Sequence, residues 1–252
     1  MDPKEQFTRQ AKLYAKSPLF SSGLSLKFLS SLLQEKKFST ALDIGTGAGF
    51  TAFEISKNSR EVIAIDISEG MLEEAESIRK DRDIDNVTFK IGRAENIESP
   101  DESFDLITCR TAAHHFFDIE KSMKEIHRTL KKSGSVFIID TITSDQKSLS
   151  EWHQKIELLR DPSHVKNYSL TEWRDLIRNS DLELKNIFQT RVNMEIEDWM
   201  ERSGTIESKK SILRNHFKKS SKKVKQFFGI ENIGNDYKFY WPVGLFEIEK
   251  LT

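Results

Sequence analysis

Apolar positions change their period along this chain. Up to residue 36 they recur at helical spacing. Leu24, Phe28, Leu29, Leu32 and Leu33 mark one face and predict helix. Beyond residue 37, short apolar runs alternate with helical stretches. The runs 40–44, 61–66, 87–91, 104–109 and 135–140 read as strands. Residues 48–56 and 119–130 read as helices between them. Another helix follows Ser68, a side chain suited to capping, with Glu69, Glu73 and Glu74 near its positive end. The helix over 119–130 is expected to stop at Lys131-Lys132-Ser133-Gly134, with bases in the last turn and a glycine after it. Past Asp140 the alternation weakens. Residues 148–159 and 170–178 read as helices, 183–192 as a strand, 195–228 as helices, and 237–249 as a last extended stretch.

This alternation predicts a doubly wound, Rossmann-like α/β fold. Its seven-stranded, mostly parallel sheet carries helices on both faces and a helical insertion before the last strand. No repeat, linker or low-complexity segment divides the chain. The expected organisation is one domain over 1–252: a helical lid (1–36), a core (37–192), the insertion (193–236) and the last strand (237–252).

Composition narrows the class. The 252 residues are 37% hydrophobic and 31% charged, with a net charge of -1, so nothing global points to nucleic acid. One cysteine, Cys109, excludes an internal disulfide and cysteine-rich zinc sites. The start is polar and no apolar run approaches the ~18 residues of a membrane span, so a cytoplasmic protein is expected.

The chemistry concentrates where strands end. Ligands of such sheets bind beyond the carboxyl ends of the strands. The first strand runs into Asp43-Ile44-Gly45-Thr46-Gly47-Ala48-Gly49-Phe50, and the second ends at Asp66. Glycines let backbone approach a ligand and adopt positive φ. A carboxylate at Asp66 can accept both hydroxyl hydrogens of a ribose; the plainer reading is a helix cap or a solvated acid. A dinucleotide fingerprint would need its third glycine at position 50, where Phe50 stands, and has no use for Asp43.

The spacing D-x-G-x-G-x-G resembles motif I of class I S-adenosylmethionine (SAM) dependent methyltransferases. Ile65-Asp66 resembles motif II, Gly92-Arg93-Ala94-Glu95 the segment after the third strand, and 104–110 motif IV. Residues 7–18, 109–116, 160–165, Tyr168-Ser169 and Glu172-Trp173 resemble a small-molecule subgroup similar to the ubiquinone/menaquinone-pathway C-methyltransferases. The resemblance implies SAM as cofactor and S-adenosylhomocysteine as product. It implies a cofactor site from Asp43, Gly45, Thr46, Gly47, Gly49, Asp66, Ile67, Met71, Arg93, Ala94, Glu95, Cys109 and Arg110. Asp43 would help orient the ammonium of the cofactor tail, and Met71 would lie against the adenine. Arg93 departs from the family, which has an aspartate there for the adenine amino group; arginine only donates.

Methyl transfer needs a base only if the acceptor must lose a proton. His114 and His115 follow the fourth strand and are the catalytic candidates, against packing or turn capping. His164 and Tyr168 are candidates for the substrate pocket, against ordinary packing. Phe7, Tyr14 and Phe20 could lid the methyl group, although aromatics at this spacing are more often core. A small, apolar or aromatic acceptor is expected. No metal site and no DNA partner are expected, and the absence of N-P-P-Y after the fourth strand disfavours amino methylation of bases.

Residues 205–228 hold eight bases against Glu207, with Ile206, Leu213, Phe217, Val224 and Phe228 on one stripe. A solvated face over packed core is the plain reading; peripheral membrane contact, or an RNA or protein substrate, are the sharper ones. A SAM-binding protein without catalysis is the remaining alternative. Oligomeric state is not legible.

Overall fold

The computed structural model describes residues 3–251. Its strands are β1 (Phe38–Ile44), β2 (Ser59–Asp66), β3 (Val87–Ile91), β4 (Phe104–Arg110), β5 (Leu130–Thr143), β6 (Tyr168–Ser169), β7 (Leu182–Glu195), β8 (Glu231–Asn232) and β9 (Tyr237–Lys250). Seven of them form the sheet path β3-β2-β1-β4-β5-β9-β7; the two-residue strands β6 and β8 pair off it. β1 to β5 are parallel, and β9 runs antiparallel between β5 and β7. The strand order reverses at β1, whose neighbours are β2 and β4. A crevice opens there, beyond the strand ends, because the chain leaves the two strands in opposite directions.

The central strands are apolar on both faces because both faces are covered. Leu42, Ile107, Val136, Ile138 and Phe246 point into one core with α6 (Ile119–Thr129) and α8 (Leu170–Arg178). Their sequence neighbours Ala41, Leu106, Phe137, Ile139 and Leu245 point into the other, with α3 (Leu24–Leu33) and α4 (Phe50–Ser56). This is the period of two expected of strands. A third apolar cluster joins α7 (Lys147–Arg160), α9 (Ile196–Arg202), α10 (Glu207–Lys218) and α11 (Lys222–Phe228) to Phe239 and Trp241 at the start of β9.

Two details differ from the sequence reading. The first 36 residues are not one helical run but α1 (Pro3–Lys16), α2 (Pro18–Ser21) and α3. Ser17 is extended (φ -77°, ψ 120°) because the ring of Pro18 disfavours the helical region for the residue before it. α6 stops at Thr129, and Leu130 is already strand, paired with Phe104 of β4. Gly134 therefore lies inside β5, not at a helix cap; pairing with β4 overrides the local stop signal. The apolar stripe of 205–228 follows its plain reading, a solvated face over packed core. Leu213, Phe217, Val224 and Phe228 are buried in the third cluster and only Ile206 is exposed, so four of the five residues offer nothing to a bilayer. No helix among the described residues is long and apolar enough to cross a membrane.

Candidate active site

Two adjoining cavities occupy the crevice. The outer one, about 240 Å³, is lined by the turn after β1, the ends of β2 and β4, and the loop after β3. The inner one, about 110 Å³, reaches from Thr111 toward α7, α9 and β9. They share Phe7, Tyr14, Phe20, Arg110, Thr111 and His115.

Gly45, Thr46 and Gly47 form the floor of the outer cavity. Gly45 (φ +65°) must be glycine on two counts: its conformation, and an added Cβ that would come within 2.4 Å of the Ala112 Cβ. A Cβ on Gly47 would meet no protein atom within 4 Å, so open space lies above it. Gly49 (φ 85°) caps α4 and lies off the wall.

Asp66 is 8% exposed and reaches the cavity. Its Oδ2 accepts the Gly47 N–H at 2.8 Å and its Oδ1 the Ser68 N–H at 2.9 Å. Burial raises its pKa, and these backbone donors hold it down. The carboxylate thereby ties the glycine turn to α5 (Glu69–Asp81) and keeps further lone pairs for a ligand. Ser68 caps α5 as expected, accepting the Met71 N–H at 3.2 Å. Its hydroxyl also lies 3.0 Å from that of Thr8, which pins α1 over the site.

Asp43 lies beneath the wall at 1% exposure. The Thr108 hydroxyl donates to its Oδ1 at 2.7 Å, while its Oδ2 and the Thr46 hydroxyl are buried without a hydrogen-bond partner among the described residues. Burial pushes the Asp43 carboxyl up to about 6, against the pull of Thr108 and Arg110. Arg110 crosses between the cavities. Its Nε donates to Thr51 Oγ1 at 2.9 Å and its Nη2 to the Phe20 carbonyl at 2.8 Å; burial lowers it to about 10. Cys109 is turned away into the core, where burial raises its thiol well above the ordinary value.

Ile67, Met71, Arg93, Ala94 and Glu95 line the outer cavity. Glu95 Oε1 accepts the N–H groups of Phe117 (2.9 Å) and Asp118 (3.3 Å). Arg93 reaches Glu95 Oε2 at 3.6 Å, with 61% of its side chain exposed.

The histidines are held differently. His114 Nδ1 lies 2.6 Å from Asp140 Oδ1, and its backbone N–H donates to Oδ2 at 3.0 Å. Burial opposes its charge, but the Asp140 carboxylate wins and the pKa is raised. His115 Nδ1 lies 3.1 Å from the Ser163 carbonyl. A carbonyl only accepts, so Nδ1 carries the proton and Nε2 keeps the lone pair. Burial, and then His114, lower His115 to about 4, so it is neutral at pH 7. His115 lines both cavities; His114 lines only the inner one. Phe7 packs edge-on against His115 at 4.9 Å.

His164 and Tyr168 line neither cavity. His164 Nε2 bonds Gln154 Oε1 at 2.8 Å, and Tyr168 packs on Trp173. Phe7, Tyr14 and Phe20 are only partly buried and do border the site. The sequence reading missed Asp140, which the strand-end logic used for Asp66 would have found. Thr111, just after β4, is a β-branched residue held at φ 55°, a backbone conformation for which the sequence carries no signal.

A mostly parallel sheet whose strand order reverses at β1, with a glycine turn there and an acid ending β2, is the arrangement of a class I SAM-dependent methyltransferase. The methyltransferase domain family model matches residues 35–200, and the chain belongs to that family. It is 33% identical over 230 residues to the uncharacterized methyltransferase YcgJ of Bacillus subtilis, covering 91% of each chain. The crystal structure of YcgJ superposes with a TM-score of 0.86 over 90% of this chain and 98% of that one. That of a putative methyltransferase from Bacillus halodurans gives 0.86 at 27% identity, over 90% and 99%. A demethylmenaquinone methyltransferase of Staphylococcus saprophyticus is 33% identical over 109 residues, 42% of this chain and 46% of its own.

Proposed function

We propose that this enzyme methylates a small, mainly apolar or aromatic molecule held in the inner cavity, with SAM in the outer one. The observation that carries this reading is the shared wall. Phe7, Tyr14, Phe20, Arg110, Thr111 and His115 border both spaces, so two ligands would meet there and nowhere else.

The outer site fits SAM on its own terms. Open space over Gly47 admits a ligand against the turn, and Asp66 offers acceptors for the ribose hydroxyls. Ile67, Met71 and Ala94 form an apolar slot for the adenine, and the Arg93 side chain takes no part in it. Arg110 pairs with the tail carboxylate, and the Asp43 charge beneath favours the tail ammonium. Gly49 and Cys109 act through the backbone they shape rather than by contact. When bound, SAM supplies an activated methyl group for in-line displacement. The protein holds the acceptor, excludes water with the aromatic lid and, at His115 Nε2, accepts or steers an acceptor proton. His114, tied to Asp140, positions its neighbour. A single buried cysteine suits the reducing cytoplasm.

Calorimetric titration tests the reading. Micromolar binding of SAM and S-adenosylhomocysteine with none of NAD is expected; absence of SAM binding overturns it. In the same titration Asp66→Ala is expected to weaken SAM at least tenfold, about 1.4 kcal/mol, through loss of charge-assisted contacts. Arg93→Ala is expected to change it less than about threefold, because an exposed, long ion pair contributes little. Equal losses in the two variants would remove Asp66 from the site.

A further inference from the structure

The inner cavity has a polar end that the methyl transfer does not use. Arg160 and Arg202 both line it, and neither borders the outer cavity. Each guanidinium is anchored on one side. Arg160 Nε donates to the Trp199 carbonyl at 3.0 Å and its Nη1 to Glu157 Oε2 at 3.3 Å. Arg202 Nε lies 3.1 Å from Asp198 Oδ2. Arg160 Nη2, both terminal nitrogens of Arg202 and the Tyr14 hydroxyl make no hydrogen bond to any described residue.

Both arginine side chains are 14% exposed. Buried guanidinium groups carry a desolvation cost that fixed partners must offset. They also repel: burial lowers the Arg202 pKa and the Arg160 charge adds to that, while Asp198 opposes it. Among the described residues Glu157 is the one carboxylate lining the cavity; it pairs with Arg160 and its charge also reaches Arg202, while the buried Asp161 adds its charge at Arg160. Asp198 sits at the surface with its side chain 65% exposed, so water screens it. The unbonded guanidinium edges of Arg160 and Arg202 therefore line a cavity whose apolar wall is Trp199, Trp241, Val192, Met194 and Val243.

We infer that the inner cavity selects acceptors carrying a carboxylate on an aromatic or apolar frame, with Arg160, Arg202 and the Tyr14 hydroxyl holding the carboxylate. The planar fork of arginine matches a carboxylate edge. The tryptophans and aliphatic side chains take the frame, which leaves its far end toward His115 and the shared wall. This rests on the inner cavity being the acceptor site.

The test uses calorimetry on the full chain with three matched probes: 2-naphthoate, 2-naphthalenemethanol and 2-naphthyl phosphate. The naphthoate is expected to bind at least about tenfold tighter than the alcohol and tighter than the phosphate. Arg202→Gln is expected to abolish the preference and Arg202→Lys to keep part of it. Both variants are expected to bind S-adenosylhomocysteine like the wild type, which reports that they fold. Equal binding of naphthoate and alcohol, tighter binding of the phosphate, no naphthoate binding at millimolar concentration, or an unchanged preference in Arg202→Gln would overturn the inference. If the wild type instead fails to bind S-adenosylhomocysteine, the methyltransferase reading falls, and the naphthoate preference is still read on its own.

Discussion

Trp199→Ala is expected to cost about 3–5 kcal/mol of stability and to abolish acceptor binding, while S-adenosylhomocysteine affinity stays within about threefold. Trp199 is 1% exposed and packs against Phe239 (5.4 Å), Trp241 (5.8 Å) and Phe217 (6.0 Å). The Arg160 guanidinium lies over its ring at 4.9 Å. The substitution removes the floor of the inner cavity, part of the third apolar cluster and the seat of Arg160 together. The outer cavity has no wall from Trp199, so the cofactor site should be spared. Urea denaturation and cofactor titration check the two halves. A stability loss below about 1 kcal/mol, or parallel loss of cofactor binding, would contradict this account.

Lowering the pH from 7 to 5 is expected to cost about 2 kcal/mol through His153 alone. This ring is fully buried; its Nδ1 faces Thr143 Oγ1 at 3.2 Å and its Nε2 faces the Asn167 side-chain amide at 3.2 Å. Burial, and then the His114 charge, lower its pKa from 6.5 to about 3. The folded value lies below the unfolded one, so protons bind the unfolded chain first. The contribution of the neutral ring is complete above pH 6.5 and is lost as pH falls toward 3. Each unit in that window costs about 1.4 kcal/mol. His115 acts the same way down to about pH 4. Asp43, raised to about 6, works in the opposite sense below pH 6, and Asp66 and Glu157 do so below their own raised values; His114, raised above 6.5, gains stability only as pH falls toward 6.5 and changes nothing below it. The comparison with His153→Gln isolates the one ring. Between pH 7 and 5 the variant should lose about 2 kcal/mol less than the wild type in urea denaturation. Identical losses would mean that His153 is not held neutral in the fold.

The outer cavity was legible because its parts are local. A strand, a glycine turn, a helix and a strand-end acid fall within about 25 residues, and each leaves a mark in residue type. Arg93 was legible too, as a departure, and the structure turns it toward Glu95 and solvent. The inner cavity was hidden because it is assembled from α1, α7, α9, β7 and β9, whose pairing no spacing records. Trp199 and Arg202 sit just before a segment whose bases drew attention to its charge rather than to its buried face. The misread end of α6 has the same origin: Lys131-Lys132-Ser133-Gly134 is a sound local stop, yet β4 recruits these residues into strand. The aromatic residues of α1 and α2 show where a two-way choice fails. They are packed and exposed to the cavities at once.

The position of β9 bears on how the chain acquires its shape during synthesis. Among the described residues β7 hydrogen-bonds only to β9 in the main sheet, and β9 starts about 40 residues after β7 ends. As the polypeptide emerges, β1 to β5 can join as they appear, whereas β7 has no place until β9 slots in beside β5. Through that interval the outer edge of β5 and the whole of β7 present unpaired backbone, the state in which strands pair with the wrong chain. α9 to α11 are made during this same interval, and the third apolar cluster closes only when Phe239 and Trp241 arrive. Removing or delaying the last 14-residue strand would therefore leave three helices and an open sheet edge waiting together, which makes this stretch the point where crowding and slow translation bear hardest on yield.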